Sequence, residues 1–209
     1  MYKRVLIFAI VIGLATISAS AQEGDSRNQI HIGAKLGFNV SNIYQSTSTD
    51  FETHSLIGLA TGVFVQVPIW KHFGVQPELL FSQRGYNATN NNPNKYYNID
   101  RRLTYLDLPL MASFSPTESV TFVAGPQVSI LINQNDKYVN NSLNTTPDEF
   151  INGNQRGNLS FLTGIDFNFS QYVVSGRVGW DISSSDYNNN YNSPQYKNLW
   201  VQATFGIRI

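Results

Sequence analysis

Apolar and polar residues alternate without interruption along residues 30–40, which read IHIGAKLGFNV. The even positions are apolar or alanine, and the odd positions are His, Gly, Lys, Gly and Asn. Period-2 alternation predicts a strand with two chemically opposite faces. In a soluble protein the apolar face would point to a core and Lys35 to water. In a membrane barrel the apolar face would meet lipid and Lys35 would point inward.

The rest of the chain contains seven more runs of this kind. Most are at or above the roughly 9–11 residues that a tilted strand needs to cross a membrane. They are also longer than the 5–6 residues typical of soluble strands. The sequence therefore predicts eight strands, at 30–40, 56–69, 73–86, 103–114, 120–132, 159–169, 172–182 and 199–209.

The connections between these runs alternate in length. Long polar links, rich in Asn, Ser, Thr and Tyr, occupy 41–55, 87–102, 133–158 and 183–198, and very short ones occupy 70–72, 115–119 and 170–171. Long loops at one rim and tight turns at the other are typical of membrane barrels. We predict an all-β fold: an eight-stranded antiparallel up-and-down transmembrane β-barrel with four long outer loops and three short periplasmic turns.

The polar face of the predicted strands carries few charges and many small residues. Small side chains fit the narrow interior of an eight-stranded barrel, and charges of opposite sign can pair there, as desolvated charges require. We predict a lumen charge network with a structural role, formed by Lys35, Glu78, Arg84, Asp107, Asp166, Arg177, Asp181 and Arg208. A transport or proton-relay role stays open for six of them, Glu78, Arg84, Asp107, Asp166, Arg177 and Asp181. A soluble lipocalin-like barrel is the main alternative fold.

Several positions carry more specific expectations. Aromatic girdles are expected at both membrane interfaces, from Trp70, Phe73, Phe114, Phe169 and Tyr172 at the turn end and from Tyr86, Tyr187, Tyr191 and Tyr196 at the loop end. Strand prolines remove a ladder donor, so bulges or local kinks are expected at Pro77, Pro109 and Pro126. Lumen packing or a shifted register would explain the apolar residues on the inward face, Phe64, Leu80 and Trp200.

The first 21 residues have the features of a cleaved secretory signal peptide. Lys3 and Arg4 precede an apolar run, and Ala19-Ser20-Ala21 fits the cleavage rule. We expect a signal peptide at 1–21, a short N-terminal segment at 22–29 and the barrel at 30–209. Cleavage leaves 12 basic and 14 acidic residues, a balance that argues against nucleic acid as a partner. The absence of cysteine excludes disulfides.

Residues that could carry chemistry are few. His31, His54 and His72 fall on a predicted strand, a long loop and a short turn. They do not converge on a metal, and neither a phosphate loop nor a nucleophile elbow is present. We therefore expect no metal, no cofactor and no enzymatic activity. The alternative is a surface enzyme that uses His54 with Asp50, Glu52 and Ser55.

Four segments resemble the PorT-like outer-membrane β-barrel proteins of Bacteroidota. They are GAKLGFNVSNI (33–43), GVQPELLFSQRGY (74–86), LTYLDLPLMASF (103–114) and FVAGPQVSILI (122–132). The corresponding family patterns are approximately G-x-K-x-G-x-N-x-S, P-E-L-L-x-S-x-x-G, Y-L-x-I-P-L and G-P-x-x-x. The family ordinarily ends in an aromatic residue as its assembly signal, whereas this chain ends in Ile209.

The resemblance implies an outer-membrane barrel that the barrel-assembly machinery inserts, with strand prolines as family features. The founding member is tied to type IX secretion. From the residues, we expect a bacterial outer-membrane protein embedded in lipid. Its outer loops would make it a structural or binding module, with a secretion or surface-assembly component as a partner. A narrow pore or transporter is the second hypothesis.

Overall fold

The computed structural model describes residues 26–45, 52–90, 97–139, 157–182 and 196–209. A short 3₁₀ helix, η1 (Ser26–Asn28), precedes eight strands. The strands are β1 His31–Gln45, β2 Glu52–Trp70, β3 Phe73–Asn90, β4 Tyr97–Phe114, β5 Val120–Val139, β6 Gly157–Phe169, β7 Tyr172–Asp181 and β8 Tyr196–Arg208. Among the described residues no helix is long and apolar enough to cross a membrane. The predicted signal peptide lies outside the described residues and stays a prediction.

The strands form a closed antiparallel barrel in chain order, so the predicted fold class is confirmed. Each strand pairs with the next, and β8 returns to β1 through a ladder that runs from Gly33↔Arg208 to Gln45↔Tyr196. The short turns after β2, β4 and β6 all lie at one end. In the β6–β7 turn, Ser170 has a φ of 53°, in the left-handed region.

Alternation places polar and small residues inside the barrel and apolar residues outside. Along β7, for example, buried and exposed positions alternate. Large apolar side chains dominate the outer wall, and Leu36 is 59% exposed there. A continuous exposed apolar surface of this extent is incompatible with a water-soluble monomer. In the described residues the apolar face of the strands lies outside and the polar face inside, which is the opposite of a lipocalin-like barrel.

Two polar residues on the lipid-facing side satisfy their hydroxyl groups within the wall itself. Thr61 Oγ1 donates to the carbonyl of Lys35 at 3.2 Å, and Thr163 Oγ1 donates to the carbonyl of Val123 at 3.3 Å. Such bonds matter on this surface because lipid provides no alternative partner.

The expectation of bulges at the three strand prolines is wrong, whereas the local kinks given as the alternative stay a prediction. Across Pro77, for instance, the β2–β3 pairs Phe64↔Glu78 and Val67↔Val75 share one register, with two residues on each strand between them. Pro109 and Pro126 interrupt the pairing with the preceding strand in the same way. The φ angle of proline is compatible with an extended strand. The effect of each proline is therefore the loss of one backbone N–H donor from the ladder. The register shifts occur instead between Ser55 and Ala60, Pro68 and Trp70, and Thr104 and Tyr105.

Tyr86 does not belong to the outer aromatic girdle. It is 4% exposed and buried, because its even position on β3 shares the inward parity of Ser82 and Arg84. Tyr187 and Tyr191 lie outside the described residues. At the turn end the rings of Phe73 and Phe114 lie 4.9 Å apart, and those of Tyr172 and Phe205 lie 5.6 Å apart.

Most strands extend beyond their predicted bounds at the loop end. β5 continues to Val139, seven residues past the predicted end at 132, and β4 begins at Tyr97 rather than at 103. These extensions lack the apolar alternation from which the strands were predicted, because they lie beyond the apolar band.

Candidate functional site

The interior of the barrel is the candidate site, and all eight predicted lumen charges lie there. Each is between 0 and 8% exposed. The structure brings six of them into ion pairs and leaves Asp181 and Arg208 apart. The six form two groups at different levels of the lumen, which we call the inner layer and the outer layer.

The inner layer consists of Lys35, Glu78, Asp166 and Arg177, from β1, β3, β6 and β7. Glu78 Oε2 lies 2.5 Å from Lys35 Nζ and 2.7 Å from Arg177 Nη1. Arg177 Nη2 also lies 3.3 Å from both carboxylate oxygens of Asp166. Since β3 and β7 are opposite in a ring of eight strands, this layer crosses the lumen, and its two positive and two negative charges cancel.

Gln76 joins the two carboxylates of the inner layer. Its Nε2 donates to Glu78 Oε1 at 2.8 Å and to Asp166 Oδ2 at 3.2 Å. Gln76 Oε1 in turn accepts from Gln66 Nε2 at 3.0 Å. Sequence reasoning did not single out Gln76, although its inward parity beside Glu78 was the available signal.

The outer layer is built around Arg84. Its guanidinium pairs with Asp107 and lies 3.4 Å from Ser129 Oγ. The ring of Trp200 covers it at 3.8 Å, and the ring of Tyr105 lies at 4.9 Å. A guanidinium over an indole face is a favourable cation–π contact. The Arg84–Trp200 contact joins β3 to β8, so the outer layer also crosses the lumen.

Phe64, Leu80 and Trp200 fill the lumen, each 2% exposed or less. Their inward parity therefore reflects packing rather than a shifted register. Trp200 also contacts an apolar cluster made with Met111, Val123 and Leu162.

Asp181 and Arg208 lie at opposite ends of the barrel and bind neutral groups. Asp181 accepts from Ser160 Oγ at 2.8 Å and from the backbone and side-chain nitrogens of Asn198 at 3.0 and 2.5 Å. Arg208 Nε donates to the carbonyl of Ser170 at 2.9 Å. The predicted pairing of lumen charges therefore does not extend to these two.

Six buried polar atoms of inward-facing side chains have no hydrogen-bond partner within the described part of the chain. They are Arg84 Nε and Nη1, Asp107 Oδ1, Arg177 Nε, Gln202 Oε1 and Thr204 Oγ1. Leaving such an atom dry costs about 1–3 kcal/mol. Donors and acceptors are mixed in this set, which matches the bonding of water rather than that of an anion or a cation.

The histidines do not form a site together. His31 lies at the start of β1, His54 is exposed on β2, and His72 lies in the β2–β3 turn, 3.0 Å from the carbonyl of Ser115. Within the described ranges no cluster of His, Cys, Asp or Glu can hold a metal. The side chains of His54 and Ser55 make no hydrogen bond or ion pair with described residues, and Asp50 lies outside them.

Solved structures similar to this chain are small outer-membrane barrels. The attachment invasion locus protein Ail of Yersinia pestis, in complex with the heparin analogue sucrose octasulfate, is 12% identical, with a TM-score of 0.46 over 87% of this chain and 99% of that one. Neisserial surface protein A is 13% identical, with a TM-score of 0.44 over 90% and 100%. OprG from Pseudomonas aeruginosa is 10% identical, with a TM-score of 0.44 over 86% and 95%.

No curated protein matches the chain. A family model does: the outer membrane protein beta-barrel domain matches residues 20–209, nearly the whole sequence. An outer-membrane barrel family agrees with the closed barrel, the apolar outer wall and the charge-paired lumen. The match indicates the bacterial outer membrane as the location of the chain. The chain therefore belongs to the outer membrane protein beta-barrel domain family.

Proposed function

We propose that the chain is a surface binding module, in which the barrel is a rigid support for polypeptide that projects from the cell. The observation that carries this proposal is a four-stranded sheet formed by the loop-end parts of β2 to β5. The β2–β3 ladder continues to Glu52↔Thr89, the β3–β4 ladder to Asn90↔Tyr97 and the β4–β5 ladder to Asn98↔Val139. Pairing with the neighbouring strands stops earlier, at Ser41↔Leu56 and Ile130↔Gly157.

The outer part of β5 belongs to the projecting sheet. Residues 131–139 of β5 pair with β4. The β5–β6 ladder of the described residues ends at Ile130↔Gly157, because residues 140–156 lie outside them. At about 3.3 Å per residue, this part of β5 is roughly 30 Å long. The sheet therefore presents an extended surface to a partner outside the cell.

The projecting sheet lies beyond the apolar band. On β4 the outward series Leu110, Leu108 and Leu106 is followed toward the loop end by Arg102, whose side chain is 61% exposed. Long loops of outer-membrane barrels are extracellular, which supports an orientation with the sheet outside the cell.

The alternative of a narrow pore has less support. Both charged layers cross the lumen. Trp200 is 1% exposed, and its ring stacks on Arg84 between β8 and β3. A conducting path would have to break these contacts. An enzymatic role has no support from His54, whose side chain makes no hydrogen bond or ion pair with a described residue. We therefore propose that the chain is not an enzyme.

The finer assignments belong to the same proposal. We infer a PorT-like member of Bacteroidota, inserted by the barrel-assembly machinery, from the segments at 33–43, 74–86, 103–114 and 122–132. A secretion or surface-assembly component is then the expected partner.

Two loop variants test the binding role. Replacing residues 133–156 with a four-residue Gly/Ser link removes the outer part of β5. The Ile130↔Gly157 pair is kept, so β5 and β6 stay paired in the barrel wall. Replacing 183–195 in the same way keeps the projecting sheet and is the matched control. Each variant is used for affinity capture from cross-linked outer membranes, after heat-modifiable gel migration has verified folding.

We expect a partner to be captured by the wild type and by the 183–195 variant, and to be lost with the 133–156 variant. Equal capture by a folded 133–156 variant contradicts the role of the projecting sheet. Single-channel current from the wild type in planar bilayers would favour the pore instead.

A further inference from the structure

A small pocket lies at the turn end of the lumen, beneath the inner layer. Its volume is about 40 Å³, and a cavity that holds one water needs about 10–15 Å³. It therefore has room for a group of a few heavy atoms. The polar residues lining it include Arg27, Gln66, Glu118, Thr121, Asn168 and Arg208.

Arg208 is the buried cation of this pocket, at 8% exposure. Its Nη1 makes only long contacts, 3.4 Å to Asn168 Oδ1 and 3.5 Å to Gln66 Oε1, and bonds of this length are weak. Its Nη2 donates no hydrogen bond to any described residue. Lys35, Arg84 and Arg177 each contact a carboxylate, whereas no carboxylate of the described ranges lies within 4 Å of Arg208.

A second guanidinium reaches the same pocket from outside the barrel wall. Arg27 on η1 lies 3.3 Å from His72 Nδ1 and donates to the carbonyl of Pro116 at 3.2 Å. These contacts fix η1 across the turn end. With Glu118 as the carboxylate at the rim, the charged side chains that line the pocket sum to one positive charge.

We propose that this pocket binds a small soluble oxyanion, a carboxylate or a phosphate, which Arg208 holds through its Nη nitrogens and Arg27 assists. The planar guanidinium presents paired N–H groups that match two oxygens of either ion. An oxyanion there would also neutralise the one buried lumen cation that has no carboxylate within 4 Å among the described residues.

The source of the ion is the periplasmic water rather than the lipid. Arg208, Thr121 and Asn168 have inward parity on their strands and are buried, so they face the lumen mouth. Lipid headgroups contact the opposite side of the same wall. The proposal is independent of the projecting sheet, which lies at the other end of the barrel.

The test is a titration of the full-length folded protein in uncharged detergent micelles. Sodium acetate or sodium phosphate replaces sodium chloride at constant ionic strength, and ¹⁵N NMR follows the Asn168 side-chain amide and Arg208 Nε–H. We expect a saturable shift with acetate or phosphate. Arg208→Gln should weaken binding at least tenfold, and Arg208→Lys should weaken it less. Arg27→Gln, outside the strands, should weaken binding without affecting the barrel.

Lys71→Gln is the matched control, because Lys71 is an exposed cation in the β2–β3 turn that does not line the pocket. It should bind as the wild type does. A linear shift without saturation overturns the proposal. The proposal is also overturned if the folded Arg208→Gln and Arg27→Gln variants bind the ion as tightly as the wild type does. A shift that appears only in vesicles containing anionic phospholipid, and not with the soluble ions, overturns the aqueous source.

Discussion

Replacement of Arg177 by methionine isolates the charge balance of the inner layer. Arg177 contacts both Glu78 and Asp166. After Arg177→Met, Glu78 keeps Lys35 at 2.5 Å, whereas Asp166 keeps only the Gln76 amide at 3.2 Å. One buried negative charge then lacks a cation. Removing one partner of a buried ion pair costs about 3–5 kcal/mol, so we expect the free energy of unfolding to fall by that amount.

A second substitution distinguishes net charge from lost contacts. Arg177→Met with Asp166→Asn restores neutrality and keeps an oxygen that accepts from Gln76. We expect this double variant to regain most of the loss and to lie within about 1–2 kcal/mol of the wild type. Arg102→Gln is the surface control, because its 3.6 Å pair with Asp100 is exposed and contributes about 0–1 kcal/mol.

Equilibrium urea unfolding in phospholipid vesicles, followed by tryptophan fluorescence and by heat-modifiable migration, measures all three variants. The reasoning about charge balance is refuted if Arg177→Met changes stability by less than about 1 kcal/mol. It is refuted equally if the double variant is as unstable as the single one.

Four further substitutions test the wall and the lumen. Trp200→Ala should lower the free energy of unfolding by about 3–5 kcal/mol, because it removes the buried ring that covers Arg84; unchanged stability in the urea assay would contradict the packing role of Trp200. Gly37→Ala should lower stability by about 1–3 kcal/mol, because its Cβ would overlap the backbone of Ala203 and Thr204. Gly176→Ala is the control, because its Cβ would meet nothing within 4 Å, and it should be neutral or stabilising in the same urea assay. Equal effects of the two substitutions would argue against a close contact between Gly37 and the backbone of β8. Leu36→Arg should cost about 2–4 kcal/mol in vesicles, whereas a water-exposed outer wall would tolerate it.

Alternation alone predicted which side chains enter the lumen, because parity fixes the face of every residue on a strand. Lys35 is one of the eight charges predicted for the lumen, and the structure pairs it there with Glu78. Parity does not determine which charges meet across the barrel. Arg177 and Glu78 are 99 residues apart, and their contact depends on the registers of several ladders together. Arg208 has the same inward parity, yet at the mouth of the lumen no described carboxylate lies within 4 Å of it.

The ends of the strands were harder to predict than their existence. Within the lipid, one face of each strand must be apolar. This requirement produces the alternating pattern, with residues such as Leu106 and Leu108 on the lipid-facing side. Beyond the lipid both faces meet water, so the β5 extension to Val139 carries no such pattern. The register shift opposite Thr104 also changes the parity of β5 at that point.

Closure of the barrel between its first and last strands has a consequence for the order of assembly. Lys35 lies on β1, Glu78 on β3 and Arg177 on β7, so the inner layer is complete only when strands from both ends of the chain have come together. In an open sheet Lys35 can pair with Glu78 and Arg177 with Asp166, but Arg177 cannot reach Glu78 across the lumen. The ion pair between Arg177 and Glu78 therefore forms together with ring closure, and it stabilises the closed barrel relative to the open sheet.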